Sequence, residues 1–298
     1  MNITSCGGAA GRPRRGESLS CLLLLVAAAG LSAPLRAEAG RQPPAPPVAP
    51  RLLLPPPVAV VWPARADEGT AEGRAALAEA SIAKRAAQKM EGDARSGALA
   101  SVAERYAGIA GTEAFAAGER AEAAFRGGEL LRTLERGDEA DDQFARAVEL
   151  GESSQDGREF AARGLLERAH LKRRGTDVEG ALALYAEVGR RFADQRRSAA
   201  HARTWTGKLL LKAGRLDEAA RHLLGFAEAY PEFAPEAVRN ADLLAVAQAQ
   251  SGDETAARDT IERLRRELEP LMAQGGKAAE EIQAALDGLR VTEILGGY

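Results

Sequence analysis

The side chains that could do chemistry are few and scattered. The three histidines, His170, His201 and His222, fall in separate helical patterns. No H-E-x-x-H pair joins any two of them, and no cysteine stands near them, so a zinc centre of the usual kind is excluded. Cys6 and Cys21 are the only cysteines, and both precede residue 40. The remainder of the chain therefore lacks thiolate nucleophiles, thiolate metal ligands and disulfides. There is no G-x-S-x-G elbow and no G-x-x-x-x-G-K phosphate loop. The run ERGDEADD, Glu135 to Asp142, is acidic but lacks the alternation and central glycine of a calcium loop, and reads as a solvated turn and helix start. The expectation is a non-enzyme, with no cofactor and no metal.

The elements behind these residues are helical by composition. Of 298 residues, 45% are hydrophobic, 28% are charged and only 4% are aromatic, a mixture suited to short, alanine-rich, close-packed helices. A formal net charge of -3 gives no support to nucleic acid as the partner. Residues 1–39 read as a secretory signal peptide: Arg12, Arg14 and Arg15, then the apolar run Cys21 to Ala33, then Ala37-Glu38-Ala39 as a small-residue cleavage site. The alternative is an uncleaved leader that anchors the chain to a membrane. Residues 40–66 are proline-rich and read as an extended linker, with apolar clumps at Leu52-Leu53-Leu54 and Val58 to Trp62.

From Asp67 onward the pattern repeats. Ala98, Ala140, Ala181, Ala219 and Ala257 open the second helix of successive units, at spacings of 42, 41, 38 and 38. Twelve residues before each stands a small residue: Ala86, Gly128, Ala169, Gly207 and Ala245. Four residues after each stands an apolar one: Val102, Phe144, Tyr185, Leu223 and Ile261. Small residues belong where two helix axes cross closely. Gly137, Gly175, Gly214 and Gly252 mark the turns, where glycine accepts the left-handed conformation that ends a helix. Asp138, Asp177, Asp217 and Asp253 then place acidic side chains in or beside the first turn of the next helix. A last amphipathic stretch, Lys277 to Leu295, carries Ile282, Leu286, Leu289 and Ile294 on its apolar side and reads as a cap.

On these residues the stretch from about Ala71 to Pro270 resembles a tetratricopeptide repeat array. GRLDEAARHLLGFAEAYP and GTDVEGALALYAEVGRRFAD are the closest segments. The units are longer than the usual period of about 34 residues, and Trp205 lies outside the family's tryptophan position. Long units of this kind are similar to exported bacterial envelope proteins. The resemblance implies an all-α, right-handed α-solenoid of helix–turn–helix units over residues 67–298, about five helix pairs and a terminal capping helix.

In that family the first helices line a concave groove, and ligand-facing side chains lie about a turn either side of the crossing residue. Carried over, the resemblance implies a partner-binding groove made of Phe125, Glu129 and Arg132, of Arg163, His170 and Arg173, of His201, Thr204, Lys208 and Lys212, and of Arg239. Most are cationic or become so on protonation, which points to an acidic peptide or protein segment. The expected function is an exported, periplasmic or envelope protein–protein interaction scaffold. The competing expectation is a structural subunit that packs into an envelope complex through a broad helical surface. Neither the partner nor the oligomeric state is legible at this level.

Overall fold

The computed structural model describes residues 69–295; the signal-peptide and linker expectations, and both cysteines, lie outside these residues. The described chain is helical and contains no strand. Five helix pairs follow one another: α1 (Ala71–Ala87) with α2 (Gly92–Gly111), α3 (Ala117–Thr133) with α4 (Gly137–Gly151), α5 (Arg158–Arg174) with α6 (Val178–Arg191), α7 (Arg196–Lys212) with α8 (Leu216–Leu223) and its short continuation α9 (Phe226–Ala229), and α10 (Ala234–Gln250) with α11 (Glu254–Met272). The terminal helix α12 (Gly276–Asp287) and a final turn α13 (Val291–Ile294) close the array on α10.

From α1 to α8 and from α9 to α12 each helix packs on the next in the chain, and successive first helices also touch: α1 with α3, α3 with α5, α5 with α7, and α7 with α10. No comparably close contact joins α2 to α4, α4 to α6 or α6 to α8. The core follows this stacking as three clusters, over α1–α4, α4–α7 and α7–α13, each shared between pairs, since a single pair could not bury its apolar stripe alone.

The crossing residues explain the pairing. A Cβ added at Gly128 would lie 2.6 Å from Phe144 Cε1, and one at Gly207 would lie 2.3 Å from Leu223 Cδ2. The small residue of each first helix thus receives the large apolar residue of the second. Ala140, Ala181, Ala219 and Ala257 are fully buried. The first unit departs in part from the expected register. Val102 is buried as expected, but Ala86 is exposed and Ala98 half-buried, and Ala87, Leu99 and Ala103, one residue on with the same spacing, are buried.

The turns repeat more strictly than their glycines do. The left-handed residue is Glu135, Thr176, Gly214 or Gly252, in each case five residues before the buried alanine. Gly137 and Gly175 are not left-handed; Gly137 opens α4 and Gly175 sits at φ -74°. At every one of these turns the same i→i−5 backbone bond forms: Arg136 to Leu131, Asp177 to Lys172, Arg215 to Leu210 and Asp253 to Gln248, at 2.9–3.0 Å. That geometry ends the helix whatever residue holds the left-handed position, so glycine is favoured there but not required. The next helix then starts in one of two ways. Asp177 and Asp253 accept from Gly180 N and Ala256 N, both at 2.9 Å. Arg136 and Arg215, at the equivalent position, instead pair with Glu139 and Glu218 three residues on.

Three features depart from a plain succession of unbroken helices. The second helix of the fourth pair does not run unbroken to Pro231: it stops at Leu223, Gly225 turns at φ +70°, and Pro231 opens a 3-10 turn. Arg203 holds this break, donating to the carbonyls of His222 and Leu224 at 2.7 Å each. Pro270 lies within the last turn of α11. The terminal helix is interrupted after Asp287, and Ile294 faces solvent while Leu289, Val291 and Leu295 are buried. Asp242 on α10 fastens this end, accepting from Val291 N at 3.0 Å and from Arg290 Nε at 2.8 Å.

Candidate binding face on the first helices

The expected groove residues form a strip along the first helices, whose small crossing residues are occupied by the second helices. The expected groove residues divide along it into three environments. Between α3 and α5, Phe125 is buried and packs with Phe144 and Phe160 at ring distances of 5.8 and 6.0 Å. The Arg163 guanidinium lies over the Phe125 ring, 4.3 Å from its centroid. It also approaches Glu129 at 3.7 Å and Glu159 at 3.4 Å. Arg132 meets Glu167 at 3.2 Å. Two of the expected cations are thus neutralised within the fold, and burial pushes the Glu167 carboxyl up from its ordinary range.

Between α5 and α7 the charges are not matched. Trp205 is the centre. Arg173 lies over its ring at 4.3 Å and Lys208 at 5.3 Å, distances at which a cation is drawn to the indole face. His170 meets the same ring edge-on, with centroids 5.4 Å apart. Arg239 on α10 adds positive potential beside Lys208, and Glu236 opposes it. Arg173, Lys208, Lys212 and Arg239 have no carboxylate within ion-pair distance among the described residues. The Nε donors of Arg132 and Arg173 are buried and without an acceptor. A buried donor left unpaired costs free energy.

His170 does not add to this charge near neutral pH. Burial, with the nearby guanidinium of Arg173, lowers its pKa to about 4. Its Nδ1 stands 2.7 Å from the Tyr185 hydroxyl. Burial raises the Tyr185 pKa, so the hydroxyl keeps its proton.

The remaining expected residues lie apart. Thr204 is buried and accepts from Asn240 Nδ2 at 3.0 Å, an internal tie between α7 and α10. His201 is half-buried and near enough to His170 to disfavour its protonation. Lys212 is exposed at the end of α7. Trp205, Glu167 and Glu236 complete the strip without having been singled out as site residues, and Tyr185, buried on α6, backs it. Trp205 had a signal, since the chain has only two tryptophans and this one lies one helical turn before Lys208.

Among the described residues, no cluster of histidine, aspartate and glutamate could hold a metal ion, and no helix is long and apolar enough to cross a membrane. A shallow depression of about 420 Å³ on α3 and α4 mixes Arg120 and Arg146 with Asp142 and Glu149 and shows no preference for a charge. No protein-family model matches the chain, and no curated protein matches it.

Proposed function

We propose that this chain is a non-enzymatic interaction scaffold that takes an acidic peptide or protein segment on its first-helix strip. The observation that carries the reading is the Trp205 cluster: an aromatic platform with Arg173 and Lys208 on it, Arg239 beside it, and, among the described residues, no carboxylate within ion-pair distance, Glu236 acting on Lys208 only from further off. Arginine supplies a forked donor and lysine a point charge, the pair suited to a carboxylate. The closer approach of first helices to one another supports a tetratricopeptide-like solenoid with this strip on its inner, concave side. Low-dielectric walls there would focus the positive field although the chain is slightly acidic. Export through residues 1–39 to the periplasm or envelope belongs to the same reading, as does the absence of nucleic acid from the list of partners.

The test uses the full chain carrying Trp62→Phe, so that Trp205 is the sole indole. Glutamate-rich peptides are expected to change Trp205 emission, with an affinity that falls as salt rises, because exposed pairs are screened beyond about 8 Å at physiological ionic strength. Lysine-rich peptides are expected to leave it unchanged. Equal responses to both, or none to either, overturn the acidic-partner reading. A second reading, a structural subunit that packs through a broad surface, is favoured by one observation: α1 exposes an apolar edge, with Ile82 59% accessible.

A further inference from the structure

Ile82 occupies a position that every later first helix buries. Its equivalents are Ala123, Gly164, Ala202 and Asn240, and all four are buried. They face the preceding pair: a Cβ at Gly164 would lie 3.0 Å from the Phe144 carbonyl oxygen of α4, and Asn240 reaches Thr204 of α7. The neighbouring position behaves alike. Ala86 is exposed, whereas its equivalents Gly127, Thr206 and Leu244 are buried, and Arg168 pairs with Asp141 of α4 at 3.0 Å. On α1 no described element covers this face. It presents Ala71, Ala75, Ala78, Ile82 and Ala86, all exposed and all on one side of the helix. A repeat array left with an apolar terminal face is short of the polar capping that solubility requires.

The edges of this stripe identify what covers it. Arg74 and Arg85 border one side, Glu72 and Glu79 the other, and all four are exposed. Within the chain they are weakly engaged. Glu79 approaches Arg105 at 4.0 Å with both side chains mostly in solvent, and Arg74 donates to the Gly69 carbonyl. A face with a basic edge and an acidic edge is complementary to itself under one symmetry only. A two-fold axis running along α1 lays the basic edge of one copy on the acidic edge of the other. A two-fold axis across the helix would set like charges together. In the first arrangement Arg74 of one copy falls opposite Glu79 of the second copy, five residues on, the offset at which flanking side chains meet across a parallel helix pair. The alanines allow the two axes to come close, and Ile82 fills the seam.

We propose that a second copy of this chain covers α1, in a two-fold dimer built on parallel α1 helices with Arg74–Glu79 pairs on both sides. This is independent of the acidic-peptide reading, since α1 carries none of the Trp205 cluster. The interface is isologous, so it closes at two copies.

The test is sedimentation equilibrium of the full chain, with thermal unfolding alongside. The wild-type chain is expected to be a dimer in reversible exchange with monomer. Ile82→Glu is expected to shift the dissociation constant toward monomer by tenfold or more. Because Ile82 is exposed within one copy, the variant's melting temperature at monomeric concentrations stays at the wild-type value. Arg74→Glu alone weakens the dimer, and adding Glu79→Arg to it restores association. A wild-type chain that is monomeric at every concentration overturns the proposal, as does a dimer indifferent to Ile82→Glu. A monomer destabilised by Ile82→Glu overturns it too, because the face would then be covered from within the chain. Acidic-peptide binding is expected to survive Ile82→Glu, so failure of one reading is distinguishable from failure of the other.

Discussion

The two halves of the first-helix strip share a scaffold and differ in charge balance. On α3 and α5, Arg163 and Arg132 each have a carboxylate from a neighbouring first helix, Glu129 and Glu167. On α5, α7 and α10, Arg173, Lys208, Lys212 and Arg239 have none within ion-pair distance among the described residues, with Glu236 the one carboxylate that acts on Lys208 from further off. The first half spends its arginines on holding repeats in register; the second leaves them available around an indole. A count of cations along the strip would treat the halves as equal. What separates them is whether an acidic side chain from the adjacent repeat is near enough to neutralise the guanidinium.

The largest expected effect tests the shared scaffold. Ala140 and Ala219 are equivalent and fully buried, one in each half. Ala140→Arg and Ala219→Arg should each cost about 3–5 kcal/mol by forcing volume and charge into a packed crossing. Thermal unfolding reads this directly, and a wild-type melting temperature in either variant would mean that the halves are not built alike.

The next effect separates the halves. Reversing Lys208 and Lys212 to glutamate should weaken an acidic peptide by about tenfold or more and reduce the salt dependence of what binding remains, which Arg173 and Arg239 still carry. Arg163→Ala should leave that affinity in place and change stability by only about 0–1 kcal/mol, since its ion pairs are partly exposed. Equal losses of binding in the two variants would erase the distinction.

A smaller effect lies at the turns. Thr176 is β-branched and left-handed, at φ 65°, where later units carry glycine. Relief of about 1–2 kcal/mol of backbone strain outweighs the roughly 0.4–1 kcal/mol that glycine costs through the unfolded chain. Thr176→Gly should therefore raise the melting temperature slightly, and Gly214→Ala should lower it.

The last effect vanishes at neutral pH. His170 has a folded pKa of about 4, below its ordinary 6.5, so the unfolded chain takes up the proton first. Its contribution to stability is present above pH 6.5 and is lost as pH falls toward 4. A His170→Gln variant should show a flatter decline in stability across that window. An unchanged slope would mean that the imidazole is not buried in its neutral form.

How much of this was legible follows the range of the interactions. The helix pairs, the small-to-large crossings and the acidic helix starts were readable because each depends on residues within one unit, at spacings set by helix geometry. The first unit slipped by one residue because Ala86 and Ala87 are both alanine, and composition alone cannot choose between them. The turn glycines were misassigned at Gly137 and Gly175 because the i→i−5 bond, not the glycine, sets the turn. Phe125 and Thr204 belong to the strip by helical position, yet both are buried, since Arg163 and Phe160 cover the one and Asn240 takes the other.

The amino-acid sequence by itself determined the helical content, the pairing and the turn positions, because 3.6-residue periodicity, capping and small-residue crossings act over a few turns of one chain segment. Only the tertiary structure decided which cations stay unmatched and which helix face is left uncovered. Both depend on side chains from different repeats, Glu129 with Arg163, Glu167 with Arg132, Trp205 with Arg173, that are brought together by stacking rather than by proximity along the chain.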